Sequence, residues 1–321
     1  MLNAVAAMIG LVGAAATPAS ALAGQGPPRN GPRWAMGVIG DSISAATFAD
    51  ISINSTEPDE WDRFGEWLRS GFDSDFLLQN RDSLSWASGS RIRSHKVMLE
   101  ESLARHRVPG ASGGSLEAIN VAVMNATAAD AVKQARQLAR KVRSDRYDGL
   151  LYVTYLVGAN DACSDAGPTG TPRDQMRASV LAALTELSAL GTPSQPVRVL
   201  MAAIPRIPDL ARPAIRHHPT ILGMKCSELR EDVLNMCAPL FDWKTPEQYA
   251  ARMRVVDEKN AVLQEVALEA HDRFPGLEVV FSDRFYSHDI DVRELAADCF
   301  HPGRTGQERL AQELWADQPW F

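Results

Sequence analysis

The sequence predicts an α/β protein, a three-layer α/β/α sandwich around a five-stranded parallel sheet. Three observations carry this. Five short runs, 34–39, 118–123, 150–157, 197–204 and 277–281, are predominantly apolar and continuous rather than alternating, as suits strands covered on both faces. Helical stretches separate most of them, and strands alternating with helices build parallel sheets. With 321 residues and 45% hydrophobic content the chain can bury a large core.

In chain order, the run 34–39 is the first strand, and a long segment holding Trp61, Phe64, Leu68 and Phe72 at helical spacing follows it. Those four side chains read as core; an acyl-binding wall is the alternative. The second strand, 118–123, leads into a helix over 126–143 rich in Ala, Gln, Lys and Arg. The third, 150–157, precedes a helix over 174–190 that sets Met176, Val180, Leu184 and Leu187 on one face. After the fourth, 197–204, comes a long connection and then a helix over 246–271 with Met253, Val256 and Leu263 on its apolar face. The fifth strand, 277–281, is followed by a closing helix over 306–316.

The formal charge is −7 and 23% of residues are charged, so nothing draws the chain to nucleic acid or to an anionic membrane. Residues 1–23 carry no charged side chain. An apolar run broken by Pro18 and ending in Ala21-Leu22-Ala23 reads as a cleaved export signal, too weak and short to anchor in a bilayer. Residues 24–33, with three prolines, form a leader, and the domain occupies 34–321. The four cysteines, Cys163, Cys226, Cys237 and Cys299, contain no Cys-x-x-Cys pair. Two disulfides in an oxidising, secreted or periplasmic setting fit that pattern better than a metal site; three pairings are open.

In such sheets ligands gather beyond the carboxyl ends of the strands. The first exit carries Gly40-Asp41-Ser42-Ile43-Ser44, the second Asn125-Ala126-Thr127, the third Gly158-Ala159-Asn160-Asp161, and beyond the fifth lies Asp298-Cys299-Phe300-His301-Pro302. A hydroxyl nucleophile needs a base, a carboxylate to orient the base, and donors for the developing oxyanion. All four parts stand at strand exits. Rivals exist for two of them. Ser44 lies beside Ser42 but suits a helix-capping role, and Ser112 sits in a Gly-x-Ser-x-Gly match that lacks the strand before it and the helix after it. His288, close to Asp289 and Asp291, is the alternative base, and Arg206, Arg212 and Arg216 with His217 and His218 make a basic patch after the fourth strand, read as a solvated loop.

On Gly40-Asp41-Ser42-Ile43-Ser44, Gly158-Ala159-Asn160-Asp161 and Asp298-x-x-His301, in that order, the chain resembles the SGNH (GDSL) hydrolases from about residue 34 onward. Ser85-Trp86-Ala87-Ser88-Gly89 and the residues around Cys163 and Cys299 are similar to its phospholipase-B-like branch. The resemblance implies a flavodoxin-like SGNH fold and a carboxylic ester hydrolase needing no metal or organic cofactor. It makes Ser42 the nucleophile, His301 the base and Asp298 its partner. The oxyanion donors would be the Ser42 amide, the amide at Asn125, where the family has glycine, and the Asn160 side chain. Because those blocks must converge, a Cys163–Cys299 bridge is expected, leaving Cys226–Cys237. Lipid or acyl esters are the expected substrates. The alternatives are an O-acetyl esterase of carbohydrate and an inactive binding module on the same fold.

Overall fold

A computed structural model of the chain describes residues 31–54, 81–111, 113–164, 170–220 and 223–321, with isolated positions between 60 and 69. The expected export signal at 1–23, most of the leader at 24–33, and Trp61, Phe64, Leu68, Phe72 and Ser112 lie outside the described residues.

Five strands, β1 (Arg33–Gly40), β2 (Ser115–Asn120), β3 (Gly149–Leu156), β4 (Val197–Ala202) and β5 (Leu277–Ser282), form one parallel sheet in the order β2-β1-β3-β4-β5. The predicted three-layer sandwich is therefore what the chain builds. The helices are α1 (His95–Ala104), α2 (Ala128–Ser144), α3 (Ala159–Cys163), α4 (Arg173–Ser188), α5 (Pro246–Arg273) and α6 (Arg304–Asp317), with shorter turns between them.

β1, β3 and β4 are buried along nearly their whole length, which is why their apolar runs are continuous. β2 differs. It begins three residues earlier than the apolar run at 118–123, because its register follows β1 from Arg33 opposite Ser115 to Val38 opposite Asn120. As an edge strand it alternates exposed and half-buried positions over Ser115–Ala118, so its first half carries no continuous hydrophobic signal.

Two cores cover the two faces. Ala131, Ala135 and Leu138 of α2, Val180 and Leu184 of α4, and Val262 and Val266 of α5 pack on Ile39, Val153 and Val199. On the other face Met98 and Leu99 of α1 and Leu310 and Leu314 of α6 pack on Met36, Val38 and Leu200. The caps are local sequence devices: Thr127 with Asp130 opens α2, and Thr245 with Gln248 opens α5. α1, within the long segment after β1, and the turns between β4 and α5 have no counterpart in the sequence reading.

The chain turns back on itself between β1 and β3, with β2 on one side and β3 on the other. Such a switch point, beyond the carboxyl ends of the strands, is where sheets of this kind take ligands. Among the described residues no helix is long and apolar enough to cross a membrane.

Candidate active site

Ser42 stands two residues past the end of β1, at the start of a tight helical turn in which the Ala45 amide donates to the Asp41 carbonyl at 2.9 Å and that of Thr47 to Ser42 at 3.0 Å. Gly40 is required for this exit: a β-carbon there would lie 2.3 Å from both Cβ and Oγ of Ser44. Ser44 itself caps no helix, contrary to expectation. It is buried, its Oγ accepts from the Trp86 indole at 3.3 Å, and its carbonyl accepts from Ser85 and Asn120.

The Asp298–His301 segment is a self-bonded turn. Asp298 Oδ1 accepts the amides of Phe300 and His301, both at 3.0 Å. Cys299 between them takes a left-handed φ of 60°. The turn is stitched to the chain that follows β1. The Ala297 amide donates to Ile51 at 2.8 Å and the Ile53 amide to Leu295 at 3.1 Å. Two segments far apart in sequence are thereby fixed edge to edge, and His301 Nε2 lies 2.8 Å from Ser42 Oγ across a separation of 259 residues.

On its other side His301 Nδ1 meets Asp298 Oδ2 at 2.5 Å. A carboxylate there fixes the proton on Nδ1 and leaves the Nε2 lone pair facing the serine hydroxyl. Asp298 is fully buried, and His301 and Ser42 are 5% and 6% exposed, so the three work in a low-dielectric setting. Phe48 stacks on the imidazole with ring centroids 6.1 Å apart, and Phe300 meets its edge at 4.9 Å.

The two remaining strand exits are linked to this group through backbone. The Val123 amide donates to the Gly40 carbonyl at 3.2 Å. Asn125 follows with φ 62°, the left-handed region that asparagine enters more readily than most residues. Asn160 Nδ2 gives one hydrogen to the Ala126 carbonyl at 3.0 Å, tying the β3 exit to the β2 exit. Gly158, just before Asn160, has φ 135°, a conformation that favours glycine. Among the described residues the amides of Ser42 and Asn125 make no backbone hydrogen bond outside helices and strands. The structure thus brings Ser42, His301 and Asp298 into direct contact. It joins Asn125 and Asn160 to them by way of Gly40 and Ala126.

The neighbouring carboxylates have different work. Asp161 is buried, and its Oδ2 accepts the Ala128 amide at 2.8 Å, capping α2 from within α3. Asp41 is fully buried with Oδ1 on the Ile43 amide at 2.9 Å. Burial pushes it up to about 7, against the Ile43 N–H and the field of His301, with Asp161 adding to the rise. From an ordinary value of 3.8 upward the unfolded chain gives up this proton while the folded one keeps it, so stability falls as pH rises to about 7. Asp41→Asn keeps the acceptor for Ile43 and removes the titration. Thermal unfolding of both proteins across this range should show the variant gaining on the wild type as pH rises; parallel curves would refute the buried proton.

The alternative candidates are engaged elsewhere. His288 contacts Glu294 at 2.6 Å and Glu313 at 3.2 Å. His95, fully buried, meets Tyr152 Oη at 2.8 Å and the Ala311 carbonyl at 3.0 Å, and burial lowers it to about 3. His218 bonds Asn54. The basic patch is neutralised internally: Arg206 and Arg212 pair with Asp209, Arg212 also with Asp289, and Arg216 with Glu231.

The disulfide pairing corrects the expectation. The bridges are Cys163–Cys237 and Cys226–Cys299, not Cys163–Cys299 and Cys226–Cys237. Converging side chains do not imply converging neighbours. Asp298 and His301 turn toward Ser42, so Cys299 between them turns the opposite way, into a fully buried position against Cys226. Each bridge ties a site loop to the connection after β4. The bridges close loops with sequence separations of 74 and 73 residues, which in the chain-entropy account stabilises by about 4 kcal/mol each. Removing Cys226–Cys299 with paired Cys→Ser changes should cost stability on that scale and also lower turnover, since Cys299 lies inside the histidine turn. Removing Cys163–Cys237 should cost similar stability with a smaller loss of turnover. Denaturant titration and kcat on both variants check this; equal turnover in the two would count against it.

A family model described as GDSL-like Lipase/Acylhydrolase matches residues 36–314. Among solved structures the chain is similar to the psychrotrophic esterase EstA from Pseudoalteromonas sp., at 14% identity and a TM-score of 0.42, covering 88% of this chain and 94% of that one. It is also similar to a family 3 carbohydrate esterase of Clostridium thermocellum, at 11% identity and a TM-score of 0.41, covering 88% and 93%. No curated protein matches the chain in sequence.

Proposed function

The chain belongs to the GDSL-like lipase/acylhydrolase family and is a carboxylic ester hydrolase; within that class we propose a secreted serine esterase that cleaves lipid or other acyl esters through an acyl-enzyme on Ser42. One observation carries the reading: the unbroken hydrogen-bonded line from Ser42 Oγ through His301 to Asp298, at 2.8 and 2.5 Å.

In this reading His301 Nε2 takes the hydroxyl proton as Ser42 Oγ adds to the ester carbonyl. Asp298 holds the imidazolium that forms. The negative oxygen is received by the amides of Ser42 and Asn125 and by the second hydrogen of Asn160 Nδ2, the first being given to Ala126. The C–O bond to the alcohol then breaks, and the leaving oxygen takes the proton back from His301. Water, deprotonated by the same nitrogen, releases the acid and restores Ser42. Every proton transfer uses one nitrogen, so a single fixed tautomer serves both halves of the reaction.

For the acyl side, apolar groups in the site loops support a chain longer than acetyl: the half-buried ring of Phe300 against His301, and Val123, 53% exposed, two residues before Asn125. For location, two disulfides support an oxidising compartment. The test is hydrolysis of p-nitrophenyl esters from acetate to longer acyl chains. Rising kcat/KM from acetate into the medium-chain range is expected. Activity confined to acetate would favour carbohydrate O-acetyl esters instead, and no activity with any ester would favour the inactive binding module.

A further inference from the structure

Two buried glutamines grip the segment that carries Ser42, one from each face of the sheet. Gln134 of α2 is 3% exposed, and its side-chain amide makes two bonds to one residue: the Gly40 amide donates to Oε1 at 2.9 Å and Nε2 donates to the Gly40 carbonyl at 2.9 Å. Gln307 of α6 is fully buried, and its Nε2 donates to the Ile43 carbonyl at 2.9 Å while its Oε1 accepts the Trp86 amide at 2.9 Å. Gly40 precedes Ser42 by two positions and Ile43 follows it directly.

The bond from the Gly40 amide to Gln134 replaces a missing ladder bond. In the β1–β2 ladder the Val121 amide reaches Val38 at 3.0 Å and the Val123 amide reaches Gly40 at 3.2 Å, so the Gly40 amide would next seek a carbonyl of the departing β2 chain. Regular pairing has ended at Val38 opposite Asn120, and Gln134 Oε1 presents the missing acceptor, while its Nε2 adds a second donor to the carbonyl that Val123 already reaches. Asn260 of α5 makes the same two kinds of bond at the exit of β4, holding the Ile204 amide at 2.9 Å and its carbonyl at 3.1 Å.

We propose that Gln134 and Gln307 are positioning residues for the nucleophile, fixing the backbone on either side of Ser42 so that its Oγ and its amide keep their places relative to His301 and to the bound carbonyl. The inference rests on the Ser42 reading above. Neither glutamine touches substrate; each acts through the backbone it holds. A misplacement of about 1 Å at reacting groups costs on the order of 10²-fold in rate.

The experiment uses the near-isosteric variants Gln134→Met and Gln307→Met, which remove the bonds with little change in volume, and Asn260→Leu, the corresponding change for asparagine, as the matched control at a strand exit without a nucleophile. A fluorophosphonate probe titrates the reactive serine and gives its labelling rate. Ester kinetics are then scaled to titrated sites, with melting temperature measured alongside. The expected result is a fall of about 10- to 100-fold in labelling rate and kcat for the two glutamine variants, with KM within about twofold. Asn260→Leu should lose comparable thermal stability but keep both rates. Labelling and kcat per site at wild-type level in Gln134→Met and Gln307→Met, whatever their melting temperatures, would overturn the inference alone. A glutamine variant that does not fold would be replaced by Gln→Glu at the same position, which keeps the acceptor and removes the donor; wild-type rates there would overturn it equally. Failure of the wild type itself to label would overturn the esterase reading and this inference with it.

Discussion

Ser42→Ala should lower kcat for an acyl ester by about 10⁶-fold, leaving a remnant of catalysis from binding and oxyanion contacts. The nucleophile is the atom that forms the covalent bond, and nothing within reach replaces it: Ser44, two positions on, is fully buried and engaged with Trp86. The fold should survive. The change removes one hydrogen bond to His301, worth about 1 kcal/mol net, in a region held by backbone bonds that alanine retains. Far-UV circular dichroism and melting temperature on the same sample separate lost chemistry from lost structure. Activity within about tenfold of wild type would assign the nucleophile elsewhere.

Asp298→Asn should be the next most damaging change, at about 10⁴-fold in kcat with KM little altered. The introduced asparagine would keep an oxygen to accept the amides of Phe300 and His301, as Asp298 Oδ1 does at 3.0 Å, so the turn persists. Its NH₂ would then face His301 Nδ1, which could only accept. The ring proton would be driven to Nε2, and a protonated Nε2 cannot take the Ser42 proton. The loss is one of tautomer rather than of place, which distinguishes it from the glutamine variants. A kcat within about tenfold of wild type, with the imidazole still aligned, would mean that the carboxylate is not what sets the proton.

The sequence made the sheet and the strand exits legible for one physical reason. Parallel strands covered on both faces must be apolar throughout, and polar residues directly after such runs mark the end of the sheet where ligands bind. Ser42 and Asn160 are visible on that ground, His301 and Asp298, well past the end of β5, by their spacing to each other. β2 is displaced by three residues from its apolar run because an edge strand is only half covered. The connection between β4 and α5 is opaque because it is made of single turns too short to show a period, such as Pro213–Arg216 and Ala238–Phe241. The disulfide expectation goes astray because the direction of a side chain in a turn such as that of Cys299, with its φ of 60°, is not written in its spacing. Gln134 passes as one more polar residue in a polar helix. Its signal is its position, on the face shared with Ala131, Ala135 and Leu138, where a polar side chain has to be answering something buried. Gln307 carries the same signature beside Leu310, Ala311 and Leu314.

The most direct test of the account is a peptide map of the protein after reaction with a phosphonate ester probe. One adduct per chain is expected, on the peptide containing Ser42, and none in His301→Ala. An adduct on any other serine, or equal labelling without His301, would contradict it.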